Sequence, residues 1–234
     1  MEPLIRVKNI RKIYRMGDER VIALDDVSLD VNRGEIICFL GRSGSGKSTF
    51  LNMVAGLEKP TRGEILIGGI PIHKLSEAQV TLFRQKNIGF IFQAFHLLPM
   101  MTALENVSLP LIFRGVPRKK RNAIAREVLS LVGLSGYDNR KPTQMSGGQQ
   151  QRVGIARALA GNPKIIFADE PTGNLDTGTT KGVMKLMIGQ IKSHNQTLIL
   201  VTHDRNIAEY ADRIVTIEDG NILNIDESAG ETRQ

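Results

Sequence analysis

The sequence predicts an α/β fold, a P-loop nucleotide-binding core of strands and helices accompanied by an antiparallel β part. Three observations predict it. The glycine-rich segment Gly41 to Ser48, GRSGSGKS, joins an apolar run, Ile36 to Leu40, to a helix-like run, Thr49 to Val54. A second apolar run, Ile165 to Ala168, ends in the two carboxylates Asp169 and Glu170. The first forty residues alternate strand-like runs with turn chemistry such as Met16-Gly17-Asp18, the habit of antiparallel strands.

The elements follow in chain order. Ile5 and Val7 alternate with Arg6 and Lys8, which predicts a strand with Tyr14 near its end. Ile36, Ile37, Cys38, Phe39 and Leu40 form an unbroken apolar run, as expected of a strand buried on both faces. The segment after it, Gly41, Arg42, Ser43, Gly44, Ser45, Gly46, Lys47, Ser48 and Thr49, has the spacing of a phosphate loop. Its glycines let backbone N–H groups converge, and the following helix start adds partial positive charge, together a cradle for β- and γ-phosphates. Lys47 is expected to reach those phosphates and the Ser48 hydroxyl to hold Mg²⁺. A flexible Gly/Ser turn is the plain alternative, and the flanking strand and helix argue against it.

Ser76-Glu77-Ala78-Gln79 and Thr102-Ala103-Leu104-Glu105 read as capping boxes that open helices. Between them a strand, Ile88 to Phe92, precedes Gln93, and Phe95, Leu97, Leu98, Met100 and Met101 cluster around Pro99. Arg118, Lys119, Lys120 and Arg121 follow Pro117 at the first turn of a helix whose apolar positions Ile124, Val128 and Leu131 are expected on one side. Ser146-Gly147-Gly148-Gln149 opens the helix-like run Gln150 to Ala160, closed by Gly161. At 165–170 a P-loop enzyme needs what the sequence offers: Asp169 at a strand tip to bind Mg²⁺ through water, and Glu170 to polarise a water for attack on the γ-phosphate. Thr197 to Thr202 reads as a further strand, followed by His203 and Asp204, and Asp219-Gly220 between Ile217 and Ile222 as a tight hairpin. The polar tail, 226–234, is expected to be disordered.

With these marks in place, the sequence from Ile5 to Ile225 resembles the ATP-binding cassette family. Met145-Ser146-Gly147-Gly148-Gln149 is similar to the family signature, whose helix start binds the γ-phosphate held by the other subunit's phosphate loop. Two anion-gripping helix starts and one lysine-bearing loop then make half a site rather than two, so the resemblance implies two ATP molecules sandwiched in a head-to-tail homodimer. It further implies that Tyr14 stacks on adenine, that Gln93 contacts Mg²⁺ and the attacking water, and that His203 touches the γ-phosphate. Asn174-Leu175-Asp176 corresponds to the loop crossing the dimer interface, with Asp176 equally readable as a helix N-cap. An edge-strand tyrosine, a solvated glutamine and a structural histidine are the alternatives for the single residues. The stretch 87–160 resembles the family's inserted helical lobe, leaving 1–86 and 161–225 as the nucleotide-binding core of one domain.

SGGQQQRV, the segment from Asp169 to Asp176, and Thr102 to Val107 resemble the ATPases of macrolide-exporter and lipoprotein-release type transporters. The partner implied is an integral membrane permease, with a periplasmic adaptor beyond it, and the place implied is the cytoplasmic face of the inner membrane. In the family the loop after Gln93 links ATP to the transmembrane subunit, although its apolar residues could equally be core. Arg42 stands where many relatives carry proline, and Met145 where they carry leucine.

Composition bounds the rest. The 234 residues are 41% hydrophobic, enough to bury one domain core. No apolar run approaches the ~20 residues of a membrane helix. Arg6, Lys8, Arg11 and Lys12 interrupt any secretory signal, so a cytoplasmic protein is expected. Cys38, the single cysteine, is expected to be a buried small hydrophobe. With little sequence after its last strand, a C-terminal regulatory domain is not expected, and export or extraction is expected over import. A net charge of +7 raises nucleic-acid binding, but three tyrosines and no tryptophan give few stacking platforms, so no specific nucleic acid is expected. An ATPase driving a non-transport signalling or cell-envelope complex remains open. The basic run 118–121 is either a solvated turn or a contact with anionic lipid or an acidic part of the permease.

Overall fold

The computed structural model describes residues 2–17 and 19–227; Asp18 of the expected first turn and most of the polar tail lie outside them. The chain divides into two compact units, Met1–Leu82 with Thr197–Gln234, and Phe83–Gln196.

In the first unit β1 (Ile5–Met16) lies antiparallel between β2 (Glu19–Val31) and β4 (Arg62–Ile67), with β5 (Ile70–Pro71) beyond β4. Ile5, Val7 and Ile10 are buried. The step from Val7 to Ile10 breaks strict alternation because the ladder shifts register there and Asn9 takes φ 46°. Parallel pairing sets β3 (Ile36–Leu40) between β8 (Thr197–Thr202) and β9 (Arg213–Glu218), and β10 (Asn221–Asp226) closes the edge antiparallel to β9. Residues 36–39, Cys38 among them, are fully buried, as a parallel strand covered on both faces requires. Asp219 and Gly220 turn β9 into β10 with φ 46° and 76°, the left-handed pair that a two-residue hairpin needs. Helix α1 (Lys47–Val54) packs on β8 through a face that buries Phe50, Leu51, Met53 and Val54. Helix α2 (Glu77–Asn87) crosses the boundary between the units in the chain and opens on the reciprocal box of Ser76 and Gln79.

In the second unit β6 (Ile88–Phe92) pairs in parallel with β7 (Ile165–Asp169). Four helices follow their own order around them: α3 (Ala103–Phe113), α4 (Arg118–Leu131), α5 (Gly147–Leu159) and α6 (Thr177–Ser193). Helix α5 is central, packing on α3, α4, α6 and β6. Thr102 and Glu105 form the expected capping box of α3.

Two sequence expectations are corrected. The buried face of α4 is Ala125, Val128 and Leu129, continued by Val132, while Leu131 is 41% exposed. At about 100° per residue, positions 125, 128, 129 and 132 share one face of the helix, and Leu131 projects roughly a quarter-turn away from it. The chain leaves α5 through Asn162 rather than Gly161, with the asparagine taking the left-handed φ of 44° and bonding back to Leu159 O at 2.8 Å.

Candidate functional site

In the first unit the phosphate loop leaves the tip of β3 and enters α1. Gly44 and Gly46 take φ 81° and 104°. A Cβ on Gly41 would stand 2.3 Å from Ile217 O, and one on Gly46 2.5 Å from Ala23 O, so the loop fits only with glycine at both positions. Gly46 is the N-cap of α1 and supplies no capping side chain, and the first turn carries no acid. The helix start therefore keeps its amides and its partial positive charge for an anion. Lys47 is buried, and its Nζ donates to Arg42 O at 2.7 Å, which holds the ammonium within the loop. Ser45 Oγ is buried with no hydrogen-bond partner, an orphaned polar atom that suits a loop built for phosphate oxygens. Arg42, Ser43, Gly44 and Ser48 are exposed, and Thr49 half-buried.

Leu40 pairs with Thr202, so Gly41 and His203 leave neighbouring strand tips. Asp204 fixes the turn by accepting from Asn206 N at 2.8 Å as the N-cap of α7 (Arg205–Ala208). Tyr14 is half-buried on β1, and its hydroxyl donates to Glu58 Oε2 at 2.7 Å.

The second unit repeats the plan. Phe92 pairs with Asp169, so Gln93 and Glu170 leave neighbouring strand tips. Glu170 sits at φ 46°, a left-handed conformation that costs a non-glycine residue roughly 1 kcal/mol or more, and its carbonyl accepts from Gly173 N at 3.1 Å. Asn174 Nδ2 donates to Gln93 O at 3.0 Å, tying the glutamine to the loop that follows the two carboxylates. A Cβ on Gly173 would stand 2.7 Å from Gln93 Nε2. Asp176 caps α6, accepting from Thr179 N at 3.0 Å, and its hydrogen bonds to Thr179 hold the carboxyl below the ordinary aspartate range.

Ser146 and Gln149 cap α5 reciprocally: Ser146 Oγ accepts from Gln149 N at 3.3 Å and Gln149 Oε1 from Ser146 N at 3.0 Å. The cap uses a lone pair of the serine and leaves its O–H as a donor for an anion. Gln149 Nε2 also donates to Tyr137 Oη at 3.1 Å, so both ends of that amide are engaged. A Cβ on Gly148 would lie 2.5 Å from Thr179 Cγ2, so a side chain there would displace Thr179. Met145, in the leucine position, is buried.

Three side chains absent from the sequence reading organise these loops. Asn106 is fully buried on α3 and bonds the backbone at Leu98, Met101 and Thr102. Arg157 on α5 donates to Phe95 O and His96 O, and burial pushes its guanidinium pKa down. Phe95 and His96 both take positive φ, 59° and 46°. Gln151, also fully buried, donates to Pro171 O. The loop that Asn106 and Arg157 hold leaves Leu98 43% and Met100 81% exposed and half-buries Phe95, Leu97 and Met101. No local pattern marks Gln151 and Arg157, because each acts on backbone 20 or more residues away in the chain, whereas Asn106 reaches backbone four to eight residues before it. Among the described residues no cluster of three or more His, Cys, Asp or Glu stands ready as a metal cage, and no helix is long and apolar enough to cross a membrane.

Residues 24–173 match the family model described as ABC transporter. An uncharacterized ABC transporter ATP-binding protein, MJ0796, of Methanocaldococcus jannaschii is 47% identical over 226 residues, which cover 94% of this chain and 95% of that protein. The macrolide export ATP-binding/permease protein MacB of Burkholderia lata is 40% identical over 222 residues, 95% of this chain and 32% of that protein. Among solved structures, a dimeric post-hydrolysis state of the MJ0796 cassette bound to ADP and Pi superimposes with a TM-score of 0.86 at 44% identity, covering 95% of this chain and 97% of that one.

Proposed function

The chain belongs to the ABC transporter family as an ATP-binding, ATP-hydrolysing subunit, and from that premise we propose that two copies close head to tail on ATP to drive a separate membrane permease. One observation carries the reading: the chain has two helix starts fitted to grip anions, at Gly46 and at Ser146, and only the first is followed by a lysine. Each start supplies part of a site that a second copy completes. The solved MJ0796 cassette, dimeric with ADP and Pi, supports that assembly. Export or extraction from the membrane is favoured by MacB, whose name joins ATP-binding and permease parts in a protein of which this chain spans about a third. On this reading the subunit sits at the cytoplasmic face of the inner membrane through its permease, and a periplasmic adaptor extends the assembly.

Hydrolysis proceeds by in-line attack of water on the γ-phosphate. Glu170, whose backbone takes the left-handed φ of 46°, takes the proton of that water or orients it. Lys47 and the amides of the loop take up phosphate charge. Ser146, Gly147, Gly148 and Gln149 act from the opposite subunit: the Ser146 O–H and the helix amides on the γ-phosphate, Gln149 by holding the cap. His203 contacts the γ-phosphate, Tyr14 the adenine, and Asp176 the loop crossing between subunits. Ser48, Asp169 and Gln93 are the residues that would hold Mg²⁺, which when bound neutralises charge on the β- and γ-oxygens. A hydroxyl, a carboxylate and an amide oxygen are hard oxygen donors of the kind that would suit Mg²⁺.

Glu170→Gln tests the reading. It keeps the shape of the side chain and loses the base, so turnover falls roughly 10²–10⁴-fold while ATP still binds, and the variant accumulates as a dimer on a sizing column run with ATP and Mg²⁺. A monomer with parental turnover would overturn both the base and the sandwich. Purification from membranes in mild detergent, followed by identification of what accompanies the chain, tests the permease.

A further inference from the structure

Tyr14 does not stand alone on β1. Its hydroxyl donates to Glu58 Oε2 at 2.7 Å, and the same oxygen lies 3.0 Å from Lys12 Nζ. That ammonium also donates to Lys59 O at 2.9 Å and sits 5.0 Å from the centroid of the Tyr14 ring. The other carboxylate oxygen, Oε1, accepts from Asn52 Nδ2 at 3.2 Å, and Glu58 N donates to Asn52 O at 3.3 Å. Asn52 belongs to α1, the helix that begins at Lys47. Through Glu58 the phenol of β1 is thus tied to the loop after α1 and, by Asn52, to α1 itself.

The charges agree with that geometry. Burial and then the Glu58 hydrogen bond raise the Tyr14 phenol above its ordinary value. Burial pushes the Glu58 carboxyl up, but hydrogen bonds from Tyr14, Lys12 and Asn52 outweigh it and hold the carboxyl below the ordinary glutamate range. The phenol stays neutral and the carboxylate ionised, so the bond between them is charge-assisted and strong.

We propose that Glu58 is a positioning residue for nucleotide binding, holding the Tyr14 ring at a fixed distance from the phosphate loop so that base and phosphates are gripped together. The inference rests on the reading of Tyr14 as the adenine platform. Lys12 covers one face of the ring and draws on its π density, so the base takes the opposite face. A ring already fixed before ATP arrives spares the ordering of one side chain on binding, an effect of about two- to tenfold in affinity. A phenylalanine could stack on adenine as well as tyrosine; the hydroxyl is needed only for the tie.

The test compares Kd values of the full chain for ATP and for tripolyphosphate, which has no base. Glu58→Ala and Tyr14→Phe should each weaken ATP binding about two- to tenfold, the double variant should be no worse than either, and tripolyphosphate should bind all of them like the parent. Tyr14→Ala should lose roughly five- to a hundredfold for ATP, since stacking itself is lost. If Tyr14→Ala binds ATP like the parent, the platform reading fails. If Tyr14→Ala is weak while Tyr14→Phe and Glu58→Ala bind like the parent, the platform stands and the positioning role is wrong. Equal losses for ATP and tripolyphosphate in Glu58→Ala would place Glu58 in support of α1 alone and overturn the proposal. Tyr14→Phe leaves no cavity and keeps the test decisive where Glu58→Ala folds poorly.

Discussion

Replacing Asn106 with alanine tests how the loop between Gln93 and α3 is held. The side chain is fully buried, its Oδ1 accepts from Leu98 N at 2.8 Å, and its Nδ2 faces Leu98 O, Met101 O and Thr102 O at 3.1, 3.2 and 3.0 Å. One acceptor and two N–H donors can satisfy about three of these bonds, each worth roughly 0.5–1.5 kcal/mol net. The loop is open to water at Leu98 and Met100, so freed carbonyls rehydrate and the loss falls in the lower half of that sum, about 2 kcal/mol. For a chain of this size the melting temperature should drop by about 4–8 °C, read by circular dichroism without nucleotide. Asn106→Leu separates bonding from volume: it fills the space and cannot bond, so it should melt as low as the alanine variant. A leucine variant melting with the parent, or an alanine variant within about 1 °C of it, would refute the hydrogen-bond account.

Further outcomes can be measured on other parts of the chain. Lys47→Ala should weaken ATP binding by about 1.5–3 kcal/mol, the worth of a charged hydrogen bond, whereas Ser146→Arg should leave ATP binding to the monomer near parental and block the ATP-dependent dimer; loss of monomer binding in Ser146→Arg would mean that the signature acts within its own chain. Replacing the exposed Leu98 and the half-buried Met101 with serine should lower permease-stimulated ATPase activity and spare the basal rate, and an equal fall in both would assign them to the core. Backbone and side-chain hydrogen bonds from Thr102 depress the Glu105 pKa, so its contribution is complete above the unfolded value of about 4.3 and is lost as pH falls through the lower folded value. The stability gap between the parent and Glu105→Ala should therefore close in acid, and a gap unchanged at pH 3 would refute it. At the other helix, Arg118 to Arg121 set cations against the N-terminal dipole of α4 with no acid in its first turn, so Lys119→Glu should stabilise the chain by about 0.3–1 kcal/mol, an effect that salt diminishes. A lower melting point for Lys119→Glu at low salt would show that the run is held by something other than solvent.

The phosphate loop, the two carboxylates after Ile165 and the signature were legible because each lies within a few consecutive residues, where chain chemistry alone fixes the backbone. Gly46 at φ 104° and the reciprocal cap of Ser146 and Gln149 are local necessities that spacing announces. The hairpin at Asp219 and Gly220 belongs with them. Tertiary structure decided what distance along the chain conceals. The partner of Tyr14 is Glu58, the distant holder of the loop after Gln93 is Arg157, and the tie on Gln93 is Asn174. A buried polar side chain must find a partner wherever packing places one, and no periodicity encodes where that will be. The buried face of α4 was also a matter of packing: hydrophobicity nominates Leu131, and the structure buries Ala125, Val128, Leu129 and Val132 instead, because only the neighbouring helices decide which face of an amphipathic helix turns inward.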